Sequence, residues 1–180
     1  MTEVSVSVDV PASPETVWSV LTDTDAYPQW NTLLTVRGAL AVGETVDVRL
    51  SVPGLPTVPI APEITAVDPE RALRWRSQLF GIEAEHAFLL EPLDDGGTRF
   101  VQTERFTGVL ASPVVGRFER RIRRGFEQMN VGLRRRAIER PPCGRQDVPT
   151  DGDGGQFRTV SGSDVSSRCR GSAGAGRTSS

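Results

Sequence analysis

Residues 4–31 read VSVSVDVPASPETVWSVLTDTDAYPQWN. Valine alternates with serine or aspartate over residues 4–10, and this period of two predicts a strand with one buried face. Ser13 is a good N-cap residue, and Pro14 suits the first position of a helix. We therefore expect a helix over residues 14–22, directly after the strand.

Residues 24–31 predict a second short helix, and residues 33–107 then alternate strands with turns. Short connections rich in glycine, proline and aspartate indicate antiparallel hairpins. The candidate strands cover residues 33–40, 44–52, 60–68, 71–79, 82–92 and 98–107. Prolines at positions 53, 56, 59 and 62 leave two interpretations open: a P-x-x-P ligand in polyproline II conformation, or a rigid loop that leads into an edge strand.

A long amphipathic helix is predicted from Ser112-Pro113, which repeats the signature of an N-cap followed by proline. Its apolar residues recur at spacings of three and four and fill an arc of about 100° on a helical wheel, the width of one buried face. They are Val115, Phe118, Ile122, Phe126, Met129, Leu133 and Ala137. Gly125 and Gly132 border this stripe, and each lowers the stability of the helix by about 1 kcal/mol relative to alanine. Close approach of the helix to the sheet is one explanation for their presence.

Charge is unevenly distributed along the chain, although the net charge is only -2 and all 21 basic residues are arginine. Residues 117–140 hold nine arginines and three acidic residues, whereas residues 1–116 hold seven arginines and sixteen acidic residues. This separation fits a solvated helix face that pairs with an acidic sheet, and it also fits contact with an anionic membrane surface. No aromatic residues are interleaved on the arginine face of the helix, so we expect no nucleic acid partner.

The composition changes after Arg140. Residues 141–180 are mostly Gly, Ser, Arg and Asp, and so few apolar residues cannot offset the entropy of ordering the segment. We expect one ligand-binding domain over residues 1–140 and a disordered low-complexity tail over residues 141–180. Both cysteines, Cys143 and Cys169, lie in this tail, so the predicted domain has neither a disulfide nor a cysteine metal site.

The localisation we expect is cytoplasmic. The first ten residues lack the basic and apolar regions of a signal peptide. No apolar run approaches the roughly 18 residues that indicate a transmembrane helix.

Four stretches together resemble the START-like superfamily, also called SRPBCC or polyketide cyclase/dehydrase-like. They are residues 4–31, PERALRW at 69–75, HAFLLEPLDDGGTRFVQTERFTG at 86–108, and the helix from Ser112. The resemblance implies an α+β helix-grip fold, in which a curved antiparallel sheet of about seven strands wraps around the long C-terminal helix and two short helices follow the first strand. It also implies a cavity between sheet and helix. It leaves the activity open, because the superfamily includes carriers, cyclases, hydrolases and chaperone activators.

His86 and Glu104 are the candidate catalytic residues. His86 is the only histidine, and in the strand 82–92 it shares a face with apolar residues while the glutamates face the other way. In the strand 98–107, Glu104 lies on a mixed aromatic and polar face, from which it could pair with His86. Such a pair suits proton transfer on a bound ligand. The structural alternative is a buried histidine satisfied by a neighbour, with Glu104 as an ordinary surface carboxylate.

Further candidates would contact a ligand in the predicted cavity. Tryptophans at these positions are more often core residues than ligand contacts, and Tyr27 would serve equally well as a packing residue. Tyr27 and Gln102 would also offer polar atoms, Tyr27 at the rim. The set comprises Tyr27, Trp30, Trp75, Phe88, Phe100, Gln102, Phe106, Phe118, Ile122, Phe126 and Met129.

We expect no metal and no cofactor. The chain has no P-loop, no G-x-G-x-x-G and no G-x-S-x-G motif, and one histidine cannot build a histidine zinc site. The favoured function is binding of a hydrophobic small molecule, such as a lipid or a polyketide-like metabolite, in the cavity. One alternative is a polyketide cyclase/aromatase- or dehydratase-like enzyme that uses His86 and Glu104. The other is a chaperone-activator-like interaction module that uses the arginine-rich helix or the proline-rich loop.

Overall fold

A computed structural model describes residues 1–79, 81–108 and 111–140, which lie in one compact unit, Met1–Pro142. The predicted tail over residues 141–180 lies outside the described residues. None of the helices described is long and apolar enough to cross a membrane.

The opening stretch forms the elements that its pattern predicts. Strand β1 covers Thr2–Val10, helix α1 covers Pro14–Thr22, and a 3-10 turn at Thr24–Ala26 leads into helix α2 at Tyr27–Trp30. The hydroxyl of Ser13 accepts a hydrogen bond from the backbone N–H of Thr16, which confirms the predicted N-cap.

The strands form two antiparallel sheets. The strands are β2 at Leu34–Arg37, β3 at Asp47–Leu50, β4 at Val58–Ile60, β5 at Glu63–Asp68, β6 at Ala72–Leu79, β7 at Ile82–Pro92 and β8 at Thr98–Thr107. One sheet has the order β1-β8-β7-β6-β5 and the other has the order β2-β3-β4. The bridge between Thr45 and Glu63 joins them into one curved surface.

The prediction of one strand over residues 60–68 is wrong. The segment breaks at Ala61-Pro62, where proline has no N–H to donate to a ladder. Its first part, β4, pairs with β3, whereas its second part, β5, pairs with β6. The described part of the chain therefore holds eight strands rather than about seven.

Helix α3 covers Ala111–Glu139, so the predicted N-cap Ser112 lies inside the helix rather than at its end. The predicted apolar stripe faces inward, with Phe118 and Ile122 half-buried and the others buried. The two glycines do mark close approaches, but not to the sheet. A Cβ at Gly132 would overlap the carbonyl oxygen of Trp30, and one at Gly125 would lie 2.8 Å from the Cδ1 of Leu33.

The arginines of α3 bind mainly backbone carbonyls rather than an acidic sheet. Arg123 donates to the carbonyl oxygen of Ser5, and Arg134 donates to that of Asp9, both on β1. Since β1 is an edge strand, these bonds cover part of an edge that would otherwise be open to pairing. The helix is thus held against the sheet by its apolar stripe and by hydrogen bonds at the edge.

Candidate functional site

The inner face of the five-stranded sheet consists of rows of residues paired across β6, β7 and β8. One row is Ser77, Ala84 and Phe106, and the next is Trp75, His86 and Glu104. The first row contains two small side chains, whereas the second is filled by larger ones. Small residues on a face that a helix covers leave a volume unfilled, so the space lies over the first row.

That volume is an apolar cavity of about 410 Å³. It lies between the first row, the N-terminal half of α3, and the segment that contains β3 and β4. Its walls are Leu50, Val52, Leu55, Pro56, Val58, Ile60, Ser77, Ile82, Ala84, Glu104, Phe106, Val115, Phe118, Ile122 and Phe126. Among these described residues, Ser77 and Glu104 alone have polar side chains. The size and the lining are those of a small-molecule site.

The proline-rich segment forms one wall of this cavity. Leu55 and Pro56 line it, and the guanidinium of Arg121 donates a 2.8 Å hydrogen bond to the carbonyl oxygen of Gly54. Gly54 has a φ of +73°, a conformation that other residues rarely adopt. The interpretation as a loop that leads into an edge strand is confirmed, because the chain continues from this loop into β4 at the edge of its sheet.

Glu104 is the acidic residue of the cavity. Its side chain is 15% exposed, and its Oε1 lies 3.8 Å from the Nδ1 of His86, its direct partner across the β7–β8 ladder. This distance is an ion-pair distance and too long for a hydrogen bond. The predicted proximity of Glu104 and His86 in the hairpin is therefore confirmed.

His86 lies one layer behind the cavity wall. Its ring packs against those of Phe88 and Phe126, with centroids 4.4 and 5.1 Å away, and Phe126 lines the cavity. The side chain is buried, as the strand pattern predicts, and its Nε2 has no hydrogen-bond partner in the described residues. Of the two candidate catalytic residues, only Glu104 reaches the cavity surface.

The other candidates divide between the cavity and the core. Four of them line the cavity: Phe106, Phe118, Ile122 and Phe126. The remainder are not among its described lining residues and are buried in the core: Tyr27, Trp30, Trp75, Phe88, Phe100, Gln102 and Met129. The Nε2 of Gln102 donates to the Sδ of Met129 at 3.0 Å, so this pair joins sheet to helix below the cavity wall.

Tyr27 does not lie at a rim. It is fully buried, and its hydroxyl donates a 2.6 Å hydrogen bond to the carbonyl oxygen of Leu21. Leu21 is in the last turn of α1, where carbonyls lack partners within the helix. The only tyrosine thus completes a helix end.

Sequence reasoning missed most of the cavity wall. The missed residues are Leu50, Val52, Leu55, Pro56, Val58, Ile60, Ser77, Ile82, Ala84 and Val115. A usable signal existed at Ser77 and Ala84, which are small residues at inward positions of strands that are otherwise bulky on that face. In the described ranges, no group of three or more histidine, cysteine or acidic side chains is arranged to hold a metal ion.

Comparison with solved structures shows the same fold at low sequence identity. The Zhui aromatase/cyclase from Streptomyces sp. R1128 has 18% identity and a TM-score of 0.63, with 76% of this chain and 93% of that one covered. Norcoclaurine synthase from Thalictrum flavum, solved with dopamine and hydroxybenzaldehyde, has 15% identity and a TM-score of 0.60, over 78% and 88% of the two chains. A protein from Thermus thermophilus has 20% identity and a TM-score of 0.60, over 76% and 97%.

Family membership rests on the sequence as well as on the fold. No curated protein matches the chain. Residues 1–137 match the family model described as polyketide cyclase / dehydrase and lipid transport, and they include β1 to β8 and nearly all of α3. These residues also build the cavity and place Glu104 in it. The chain therefore belongs to the polyketide cyclase / dehydrase and lipid transport family.

Proposed function

We propose that this protein binds a hydrophobic small molecule in the cavity between the sheet and α3. The observation that carries the proposal is an apolar volume of about 410 Å³ in which thirteen of the fifteen lining side chains are apolar. Family membership supports it, since the family description includes lipid transport. A lipid or a polyketide-like metabolite has the apolar surface that such walls would cover.

The test is titration of the full chain with diphenylhexatriene, a fluorescent hydrocarbon without polar atoms. We expect saturable binding at one site. Ala84→Leu should weaken it strongly, because the larger side chain projects into the cavity. Ala41→Leu makes the same change at an exposed position and should leave binding unchanged. Absence of saturable binding, or equal binding by both variants, would contradict the proposal.

A second candidate function is proton-transfer catalysis of the cyclase or dehydratase kind. The observation in its favour is the ion-pair distance of 3.8 Å between Glu104, at the cavity surface, and His86 behind it. In this arrangement Glu104 would take a proton from the bound molecule as the general base, and His86 behind it would hold the carboxylate in position. The similar fold of an aromatase/cyclase is compatible with such chemistry but does not assign it.

Deuterium uptake by 1-tetralone in D₂O tests this second function. The carboxylate of Glu104 would remove a proton from the carbon next to the carbonyl, and a deuteron from solvent would replace it. We expect the wild-type protein to accelerate uptake and Glu104→Gln to abolish the acceleration while diphenylhexatriene still binds. Uptake at the buffer rate in the wild type would leave binding as the supported function.

The outer face of α3 supports a separate proposal about partners. Arg117, Arg120, Arg124 and Arg135 are exposed there and make no hydrogen bond or ion pair with any described residue. Val131 and Ile138 are 64% and 50% exposed on the same helix. Unpaired arginines beside exposed apolar residues suit an anionic membrane surface, where a carrier of hydrophobic molecules would load or release its cargo. The proline-rich loop is less suited to a partner, because it contributes to the cavity wall.

A further inference from the structure

The carboxylate of Glu104 at the cavity surface has no hydrogen-bond donor among the described residues. Glu104 is largely removed from water, and none of the described residues donates a hydrogen bond to its carboxylate. Its neighbour His86 is 3.8 Å away, too far for a hydrogen bond, so the carboxylate has no donor among the described residues. A carboxylate that is largely shielded from water gains a strong hydrogen bond from a donor that enters the cavity.

Two exposed carboxylates of the sheet, by contrast, are paired with arginine. Asp9 and Glu3 are bound by Arg99 and Arg105 at 2.8 and 3.1 Å on the outer face. No described arginine comes within ion-pair distance of Glu104, in a chain with 21 arginines. Glu104 thus lies in the cavity without an arginine partner among the described residues.

We propose that the ligand bears a hydrogen-bond donor, an amine or a hydroxyl, which meets Glu104, and that carboxylic acids of the same length are disfavoured. This inference rests on the proposed binding function and specifies its ligand class. An ammonium or hydroxyl group donates to a carboxylate, whereas a second carboxylate would place two like charges in a medium that screens them poorly. The apolar remainder of the ligand contacts the aromatic and aliphatic walls.

The hydroxyl of Ser77 adds a second polar contact. It lies in the row next to Glu104 and both donates and accepts, so it does not select the sign of a ligand charge. The selection between donor and acid therefore falls to Glu104.

Competition against bound diphenylhexatriene tests the inference with three ligands of equal chain length: decylamine, 1-decanol and decanoic acid. The hydrocarbon probe has no donor, so its binding reports the cavity alone. We expect the amine and the alcohol to displace it at concentrations about tenfold or more below that of the acid. An advantage of the amine over the alcohol assigns an ammonium, and equal displacement assigns a hydroxyl; both outcomes support the proposal.

Glu104→Gln removes the charge with little change in shape, and it should abolish the disadvantage of the acid. The matched control is Glu83→Gln, which alters an exposed glutamate on the outer face and should preserve the order. Two results would overturn the inference but leave cavity binding intact. In one, the acid displaces the probe from the wild type as effectively as the amine and the alcohol do. In the other, a folded Glu104→Gln still binds the acid more weakly than the other two ligands. If Glu104→Gln does not fold, the order of the three ligands on the wild type decides. Failure of the probe itself to bind would contradict the proposed function instead.

Discussion

Tyr27 illustrates how a single residue acquires its role from its surroundings. Burial, reinforced by the charge of nearby Asp23, raises the pKa of its phenol above the usual value near 10. Its hydroxyl satisfies the Leu21 carbonyl at the end of α1, so the neutral form is the one that the fold requires.

At alkaline pH we expect Tyr27 to govern stability. The unfolded chain releases the phenolic proton above pH of about 10, whereas the folded chain retains it, so the free energy of unfolding falls with a slope of at most about 1.4 kcal/mol per pH unit. Tyr27→Phe should lower stability by about 1–3 kcal/mol at neutral pH through the lost hydrogen bond, and it should remove the alkaline slope. Urea unfolding followed by tryptophan fluorescence between neutral and alkaline pH measures both effects.

The composition makes this measurement selective. The chain has one tyrosine and no lysine, so the two cysteines are the other side chains that titrate in this range. Replacing Cys143 and Cys169 by serine in both proteins provides the control. An alkaline slope that persists in Tyr27→Phe on this background would refute the assignment.

Helix α3 combines three tasks along its length. Its N-terminal half lines the cavity, its apolar stripe closes the core, and its arginines bind the edge of the sheet. At Gly132 the backbone of Trp30 comes too close for a side chain.

Gly132→Ala should destabilise the protein although alanine favours helix. The added Cβ would overlap the carbonyl oxygen of Trp30, and the necessary shift costs about 1–3 kcal/mol, more than the gain of about 1 kcal/mol in helix propensity. Gly116→Ala is the matched control, because nothing lies within 4 Å of its Cβ position, and it should stabilise by up to about 1 kcal/mol. Denaturant unfolding compares the two variants, and equal effects would show that packing at Trp30 does not constrain this helix.

The outer face of α3 should bind anionic vesicles. Arg120→Glu combined with Arg124→Glu should reduce co-sedimentation with phosphatidylserine-rich vesicles, and added salt should weaken binding by the wild type. Arg49→Glu combined with Arg76→Glu changes the net charge equally at exposed sites outside α3 and serves as the control. Equal losses in both double variants would show that total charge, rather than this helix face, determines binding.

At the scale of the whole molecule, the cavity is a space that no single element forms. It results from small side chains on β6 and β7, a loop held by Arg121, and the helix above them. A ligand that fills it would contact all of these elements, and its binding would therefore stabilise the folded chain.

Saturation with 1-decanol should raise the free energy of unfolding, by about 2.7 kcal/mol at 100 times the dissociation constant. Ala84→Leu should lose this increment without losing stability in the absence of ligand, because its added carbons occupy unfilled space. Denaturant titrations with and without the alcohol test this expectation. An equal increment in Ala84→Leu would place the binding elsewhere.

The sequence by itself determined the order of the elements and the inward faces of β7, β8 and α3. Period-two and helical patterns are local, so they do not depend on which segments later meet. The same patterns placed His86 on the apolar side and made its pairing with Glu104 foreseeable, since the two strands form a hairpin.

Only the tertiary structure decided where the cavity lies and which candidates reach it. Its walls come from segments far apart in the chain, and an unfilled volume depends on how their side chains meet rather than on any local pattern. Thus Phe118, Ile122 and Phe126 line the cavity, and the ring of Phe126 also packs against that of His86. Met129, on the same face of the helix, is buried in the core instead. The tertiary structure likewise decided the role of Tyr27, whose hydroxyl binds the carbonyl oxygen of Leu21. The break at Pro62, in contrast, has a local cause that the sequence already contains.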